Sequence, residues 1–219
     1  MAASIVTIST QLGTGGTAMA RSIADMLGYR YYDWQITSEA ANLAGVSPEV
    51  IAASERVPSF LERMLTRLLA ASAVTGEESQ VMLGPDPSVV ASAVQSLGSE
   101  DYRRFIHRVV EELADRGEAV IVGHAGQVTL RDRSGVLKVL VCGSPARRAE
   151  RLVAEERAAS LEEAAKNVQA TDRDRGRLFK TAYHVEWLDA ALYDLCLNTD
   201  HLSPEHGAEL IVASAKAYP

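Results

Sequence analysis

Lysine is scarce in this chain of 219 residues. Only Lys138, Lys166, Lys180 and Lys216 occur, and none lies in the first half. Basic residues are also outnumbered, 22 Lys and Arg against 29 Asp and Glu, for a net charge of −7. That balance excludes a surface that coats nucleic acid, because phosphate backbones are bound mainly by excess Lys and Arg. There are two cysteines, Cys142 and Cys196. Both fall in apolar strand-like runs, where a reduced, packed thiol without a chemical role is expected. No His, Cys or carboxylate cluster has zinc spacing and no Gly-x-Ser-x-Gly elbow occurs, so metalloenzyme and hydrolase chemistries drop out. No apolar run approaches the ~18 residues of a membrane span. Met1 to Thr10 lacks a basic segment, a long apolar segment and a cleavage site, so a soluble, cytoplasmic protein is expected. With 47% apolar and 23% charged residues, the chain reads as a single globular domain over residues 1–219, without repeats or low-complexity tracts.

What is present is a glycine cluster near the N-terminus, in Ile5 to Ala20, IVTISTQLGTGGTAMA. Ile5, Val6 and Ile8 suit a buried strand, Gly13, Gly15 and Gly16 suit a tight turn, and Thr17 onward begins an amphipathic helix. Backbone N–H groups at such a helix start lack intrahelical partners and sit at the positive end of its dipole, so they suit phosphate oxygens. Two phosphate-loop patterns fit. The Walker A pattern G-x-x-x-x-G-K-[ST] lies on residues 10–17, with Gln11 and Thr14 inside it and Thr17 as the metal-side hydroxyl, but Thr10 replaces the first glycine and Gly16 replaces the lysine. The dinucleotide pattern G-x-G-x-x-[GA] lies on Gly13, Gly15 and Ala18, with Asp33 about 20 residues on as a ribose-binding acid. A glycine turn that only lets a helix pack on a strand is the bland alternative.

Along the chain, strand-like and helix-like segments alternate, which predicts a mostly parallel sheet covered by helices. The expected elements after the first helix are a strand at Tyr29 to Tyr32, helices from about 35 to 72, and a Gly, Pro and Ser-rich insert over 75–98. A helix at 101–116 and strands at 118–122, 136–142 and 193–197 complete the sheet. Ser144-Pro145, Ser160 with Glu163, and Ser203-Pro204 carry helix-start signals. In an open parallel sheet, ligands bind beyond the carboxyl ends of the strands. The loop at Gly13 to Thr17, Asp33, His124, Ser144 and Asn198 to Asp200 all belong to that rim. Arginines cluster at Arg103-Arg104-Arg108, Arg131-Arg133, Arg147-Arg148-Arg151 and Arg173-Arg175-Arg177, and three of the four clusters are expected to be solvated helix faces.

Five segments in order resemble the cytidylate kinase-like proteins of the P-loop nucleoside monophosphate kinase group. They are ISTQLGTGGTAMARSIADMLGYRYYD at 8–33, AVIVGHAG at 119–126, LRDRSGVLKVLV at 130–141, TDRDRGRLFKTAYHVEW at 171–187 and LYDLCLNTDHLSPE at 192–205. The resemblance implies an α/β, three-layer P-loop kinase-like fold with a five-stranded parallel sheet, a helical acceptor region at about 35–98 and a lid at about 160–180. It implies ATP with Mg²⁺ on Gln11, Gly13, Thr14, Gly15, Gly16 and Thr17, the metal beside Thr17, a nucleoside monophosphate such as CMP near Asp33 and His124, and catalytic arginines at Arg173, Arg175 and Arg177. The expected partners are small nucleotides, with a homodimer open, and neither nucleic acid nor membrane. The family often has arginine at the positions of Thr10 and His124 and an acidic residue at that of Gln35. These departures keep open a non-catalytic nucleotide-binding or partner-binding module. An NAD-dependent oxidoreductase is the further alternative, against which no Tyr-x-x-x-Lys pair exists. On a straight helix Arg173 and Arg177 share a face while Arg175 points about 160° away, so either the lid bends at Gly176 or only part of the set acts.

Overall fold

The computed structural model of the chain describes residues 2–33 and 99–219. The expected acceptor helices and the insert at 75–98 lie outside the described residues. The chain groups into two compact units, residues 1–36 with 107–219 and residues 37–106, and the sheet belongs to the first. Five strands, β1 (Ile5–Thr10), β2 (Arg30–Tyr32), β3 (Ala119–Val122), β4 (Val136–Cys142) and β5 (Leu195–Asn198), form one sheet in the order β2-β3-β1-β4-β5. All pairings are parallel, as the alternating sequence predicts. β1 is central. It pairs with β3 from Ile5↔Ala119 to Ile8↔Val122 and with β4 from Ile5↔Val136 to Thr10↔Val141.

Parallel strands are covered on both faces and so read as apolar runs rather than alternating ones. Val6, Ile8, Val120, Val122, Leu137, Val139 and Val141 pack on one face with α1 (Gly16–Leu27) and α6 (Pro204–Lys216), through Met19, Ala20, Ile23, Ala208, Ile211 and Val212. On the other face β1 meets the short helix α3 (Gly126–Thr129), where a Cβ on Gly126 would stand 3.1 Å from Thr7 Cγ2. Helix α2 (Ser99–Arg116) precedes β3. The three serine caps form as expected. Ser144 caps α4 (Pro145–Ala154), Ser160 caps α5 (Leu161–Leu178) and Ser203 caps α6, each hydroxyl accepting a backbone N–H of the first turn. Glu163 completes the start of α5 by accepting the Ala159 N–H at 3.0 Å.

Several boundaries depart from expectation. Glu118 is not in β3, because Gly117 and Glu118 turn the chain there with φ of 67° and 49°. Tyr193 and Asp194 precede β5 rather than opening it, since the Asp194 carboxylate accepts the Lys138 N–H at 2.8 Å before pairing begins at Leu195. Cys196 is exposed on the edge strand β5 rather than packed, while Cys142 is half-buried, and both thiols are free. Of the two alternatives for the arginines, a bend at Gly176 is not the one seen. α5 runs through Gly176 to Leu178 and then widens into a π-helical turn at Phe179–Tyr183. A glycine disfavours helix by only ~1 kcal/mol, and here the Trp187 indole lies against it, 3.6 Å from where a Cβ would be. Packing therefore outweighs propensity.

Ile211 is fully buried between α1 and the sheet. Ile211→Ala is expected to lower unfolding stability by about 2–5 kcal/mol, the range for truncating a buried aliphatic side chain, as read from urea denaturation followed by circular dichroism.

Candidate phosphate site

The glycine loop closes β1 onto α1 at the carboxyl end of the central strand. Gly13 and Gly15 take left-handed conformations with φ of 81° and 76°, which non-glycine residues adopt only at a cost. At Gly13 the space is closed as well, since a Cβ would lie 2.6 Å from the Arg148 carbonyl oxygen. The N-cap residue of α1, Gly15, brings no capping side chain, in contrast to the serine-capped α4, α5 and α6, and the N–H of Gly16 is taken instead by the Thr14 hydroxyl of the loop. The start of the helix lies at the rim, where the positive end of its dipole is.

Inside the loop the hydroxyls are spent on one another. Thr14 is buried, its hydroxyl lies 2.8 Å from the Gln11 carbonyl and shares a 2.6 Å hydrogen bond with the Thr10 hydroxyl, and it also receives the Gly16 N–H at 3.3 Å. Gln11, expected among the nucleotide contacts, is a buried strut in this structure. Its N–H donates to the Val141 carbonyl, its side-chain amide donates to Asp172 at 3.1 Å, and its side-chain oxygen accepts the Gly143 N–H at 3.2 Å. Thr17 is exposed at the start of α1.

Two arginines of α4 grip the loop from behind. Arg148 is 1% exposed and pairs with the Asp172 carboxylate through two N–H groups, at 2.6 and 3.0 Å, while donating to the carbonyls of Gly143 and Leu12. Arg151 bridges the Gly13 carbonyl at 2.7 Å and the Thr199 carbonyl at 2.9 Å. Asp172 lies on α5, so this network ties the expected lid helix to the loop. Neither arginine was singled out by the sequence. The available signal was the register of α4, in which Arg148 stands beside Ala149 and four residues before Leu152, on the buried stripe.

The three lid arginines are not brought together. Arg173 and Arg177 are exposed, whereas Arg175 is half-buried, donates to the Thr10 carbonyl and lies 5.3 Å from the centre of the Trp187 ring. At the ends of β2 and β3, the His124 Nε2 hydrogen-bonds the Asp33 carbonyl at 2.9 Å, and the Asp33 carboxylate accepts from Tyr31 at 3.0 Å. His124 and Ala125 both have left-handed backbones, φ 53° and 52°. Because β3 lies between β1 and β2, Asp33 is two strand spacings, ~10 Å, from the strand that carries the loop. A dinucleotide fold instead sets the second strand directly beside the first, so the NAD-binding pattern lacks its geometry here. A hollow of about 460 Å³ at the end of β5 is lined by Leu197, Asn198, Asp200, His201 and Leu202. Among the described residues no three His, Cys, Asp or Glu side chains come together as a metal cage, and no helix is long and apolar enough to cross a membrane.

A central parallel strand, a glycine loop and a helix that starts on a glycine N-cap, with cations drawn in from neighbouring helices, define an α/β protein of the P-loop kinase type. The chain belongs to the cytidylate kinase-like family, whose model matches residues 5–201. No curated protein is significantly similar to it in sequence. In structure it is similar to an uncharacterized protein from Eubacterium ventriosum, with a TM-score of 0.63 at 17% identity over 97% of this chain and 98% of that one. It is more distantly similar to shikimate kinase from Bacteroides thetaiotaomicron, with a TM-score of 0.49 at 13% identity over 97% and 96% of the two chains. A gluconokinase from Sinorhizobium meliloti gives 0.47 at 14% identity over 97% and 89%.

Two outcomes follow from the charges at the rim. Arg148→Ala is expected to cost roughly 3–5 kcal/mol in urea denaturation by stranding Asp172, and Arg148→Met combined with Asp172→Leu considerably less, because removing both ions removes their desolvation penalty. The second concerns Asp200, whose carboxyl is held below its ordinary range chiefly by the Ser144 N–H, a 2.7 Å bond. A carboxyl with a lower pKa folded than unfolded binds fewer protons in the folded state. Its stabilisation is therefore present above the ordinary carboxylate range and lost as pH falls through the folded value. Acid titration of unfolding stability is expected to lose part of its slope in Asp200→Asn.

Proposed function

We propose that the protein is a phosphotransferase that moves the γ-phosphoryl group of ATP to CMP or a similar nucleoside monophosphate. The observation that carries this reading is the start of α1 on left-handed Gly13 and Gly15, with no capping side chain on the N-cap residue, at the carboxyl end of the central strand. N–H groups so arranged suit phosphate oxygens, and phosphoryl transfer needs mainly positioning and charge neutralisation. Gly13, Gly15 and Thr17 would hold the phosphate chain through backbone N–H groups, and Gly16 would join them where phosphate displaces its N–H from the Thr14 hydroxyl. Arg175 would neutralise charge developing on the transferred group, and helix α5 would exclude water. Mg²⁺ would neutralise the phosphates further. The donors present fit an ion that arrives on the nucleotide, since the Thr17 hydroxyl is exposed while no protein cage is assembled, and Mg²⁺ is commonly held by few protein ligands plus substrate phosphates. The monophosphate acceptor rests on family membership, with Asp33 and His124 on its side of the rim. Such a protein would work in the cytoplasm, on free nucleotides.

One observation favours a second reading, a module that binds nucleotide without turnover. The loop has glycine where a lysine would stand, and the Thr10 side chain fills the space beside it.

Isothermal titration with MgATP, followed by a coupled assay offering CMP, dCMP, UMP and AMP, separates these readings. The expected result is MgATP binding and transfer to at least one pyrimidine monophosphate. Binding without transfer to any acceptor selects the module, and absence of binding removes both.

A further inference from the structure

A phosphate loop without its own cation has to borrow one, and the packing explains why position 16 cannot provide it. An ideal Cβ on Gly16 would lie 2.1 Å from Thr10 Oγ1 and 2.7 Å from Thr10 Cβ. No side chain, lysine included, can be built there while Thr10 stands, and the Thr10 hydroxyl is pinned at 2.6 Å by Thr14. The carbonyl of the same Thr10 receives the Arg175 guanidinium from α5. Two anchors set that guanidinium. Asp172, three residues earlier on the helix, is clamped by buried Arg148. On its other side Arg175 lies over Trp187, whose ring is 4% exposed and packs against Phe179 with centroids 6.3 Å apart. The Trp187 carbonyl accepts the Tyr193 hydroxyl proton at 2.5 Å, and Tyr193 in turn accepts from the Gln127 amide at 3.2 Å. Trp187 is therefore fixed from both its ring and its backbone, and a fixed aromatic face holds a cation in place.

We propose that Arg175 replaces the absent lysine as the cation of the phosphate loop, with Trp187 as its positioning residue and the Thr10–Gly16 contact as the reason the lysine's place is closed. This rests on reading the loop as a phosphate site and adds which residue carries its charge.

The test uses the full chain with Trp34→Phe, which leaves Trp187 as the sole tryptophan. MgATP and MgADP binding is measured by isothermal titration and by Trp187 fluorescence, with thermal melts to establish folding. Arg175→Ala is expected to weaken binding about tenfold to a hundredfold, the scale of a lost charge-assisted hydrogen bond, and to abolish the fluorescence change on adding nucleotide. Trp187→Ala is expected to weaken binding comparably although the arginine remains, while Trp187→Phe, which keeps a ring under the guanidinium, stays within about threefold. Gly16→Lys alone is expected to fail by collision with Thr10. Thr10→Gly with Gly16→Lys is expected to restore nucleotide binding to the Arg175→Ala protein. Arg175→Ala binding as tightly as the unmodified chain overturns the proposal, as does a folded triple variant that remains as weak as Arg175→Ala. Trp187→Ala with a lowered melting temperature but unchanged affinity overturns the positioning role. If the unmodified chain binds neither nucleotide, the phosphate-site reading falls and this proposal falls with it.

Discussion

A guanidinium with almost no solvent contact has to be neutralised where it lies, and Arg148 imposes that requirement on everything around the loop. Its carboxylate partner comes from α5, its remaining bonds go to the carbonyls of Gly143 and Leu12, and its own carbonyl closes the space beside Gly13. One side chain thereby fixes the distance between the strand that bears the loop, the helix α4 behind it and the helix α5 across it. Stranding either ion would cost a large fraction of the 5–15 kcal/mol that typically separates folded from unfolded. Movement of α5 away from the loop must therefore either carry Arg148 with it or admit water to both charges.

The same constraint changes how the charged residues of α5 are understood. Spaced Asp and Arg on a helix usually form a solvated network worth little. Here Arg173 and Arg177 match that description, whereas Asp172 and Arg175 point inward and make long-range contacts with Arg148, Gln11 and Thr10. The difference follows from helical geometry, because residues three apart share a face and Asp172 and Arg175 are three apart. The Walker-like departures at Thr10 and Gly16 are likewise one structural fact rather than two, since each residue occupies the space the other leaves.

Much of this architecture was legible in the sequence. The glycine cluster, the serine caps and the order of apolar runs locate the sheet, the loop and the helix starts to within a residue or two, because each reflects local backbone chemistry. The role of Gly176 was not legible. Its low helix propensity points to a break, but an indole eleven residues further on packs into the missing Cβ's place and the helix continues. Arg148 was obscured for a similar reason. A basic cluster on a helix reads as solvated until a carboxylate from another helix is seen to meet it. Trp187, Tyr193 and Gln127 form a buried relay whose members are far apart in sequence and carry no shared motif. Local signals mark where the chain turns, while the residues that tune the site are selected by tertiary proximity, which no spacing rule encodes.

The central position of β1 has a consequence for how the molecule is made. Its two sheet neighbours begin at Ala119 and Val136, so β1 waits for the chain to be made as far as β3 before either flank can pair. Contacts of such sequence separation are slow to form because a long loop must close first. Until then the apolar edge of β1 stays open to other chains. The step that completes the sheet should therefore come late in folding, and the glycine loop, suspended between β1 and α1, should acquire its shape only then.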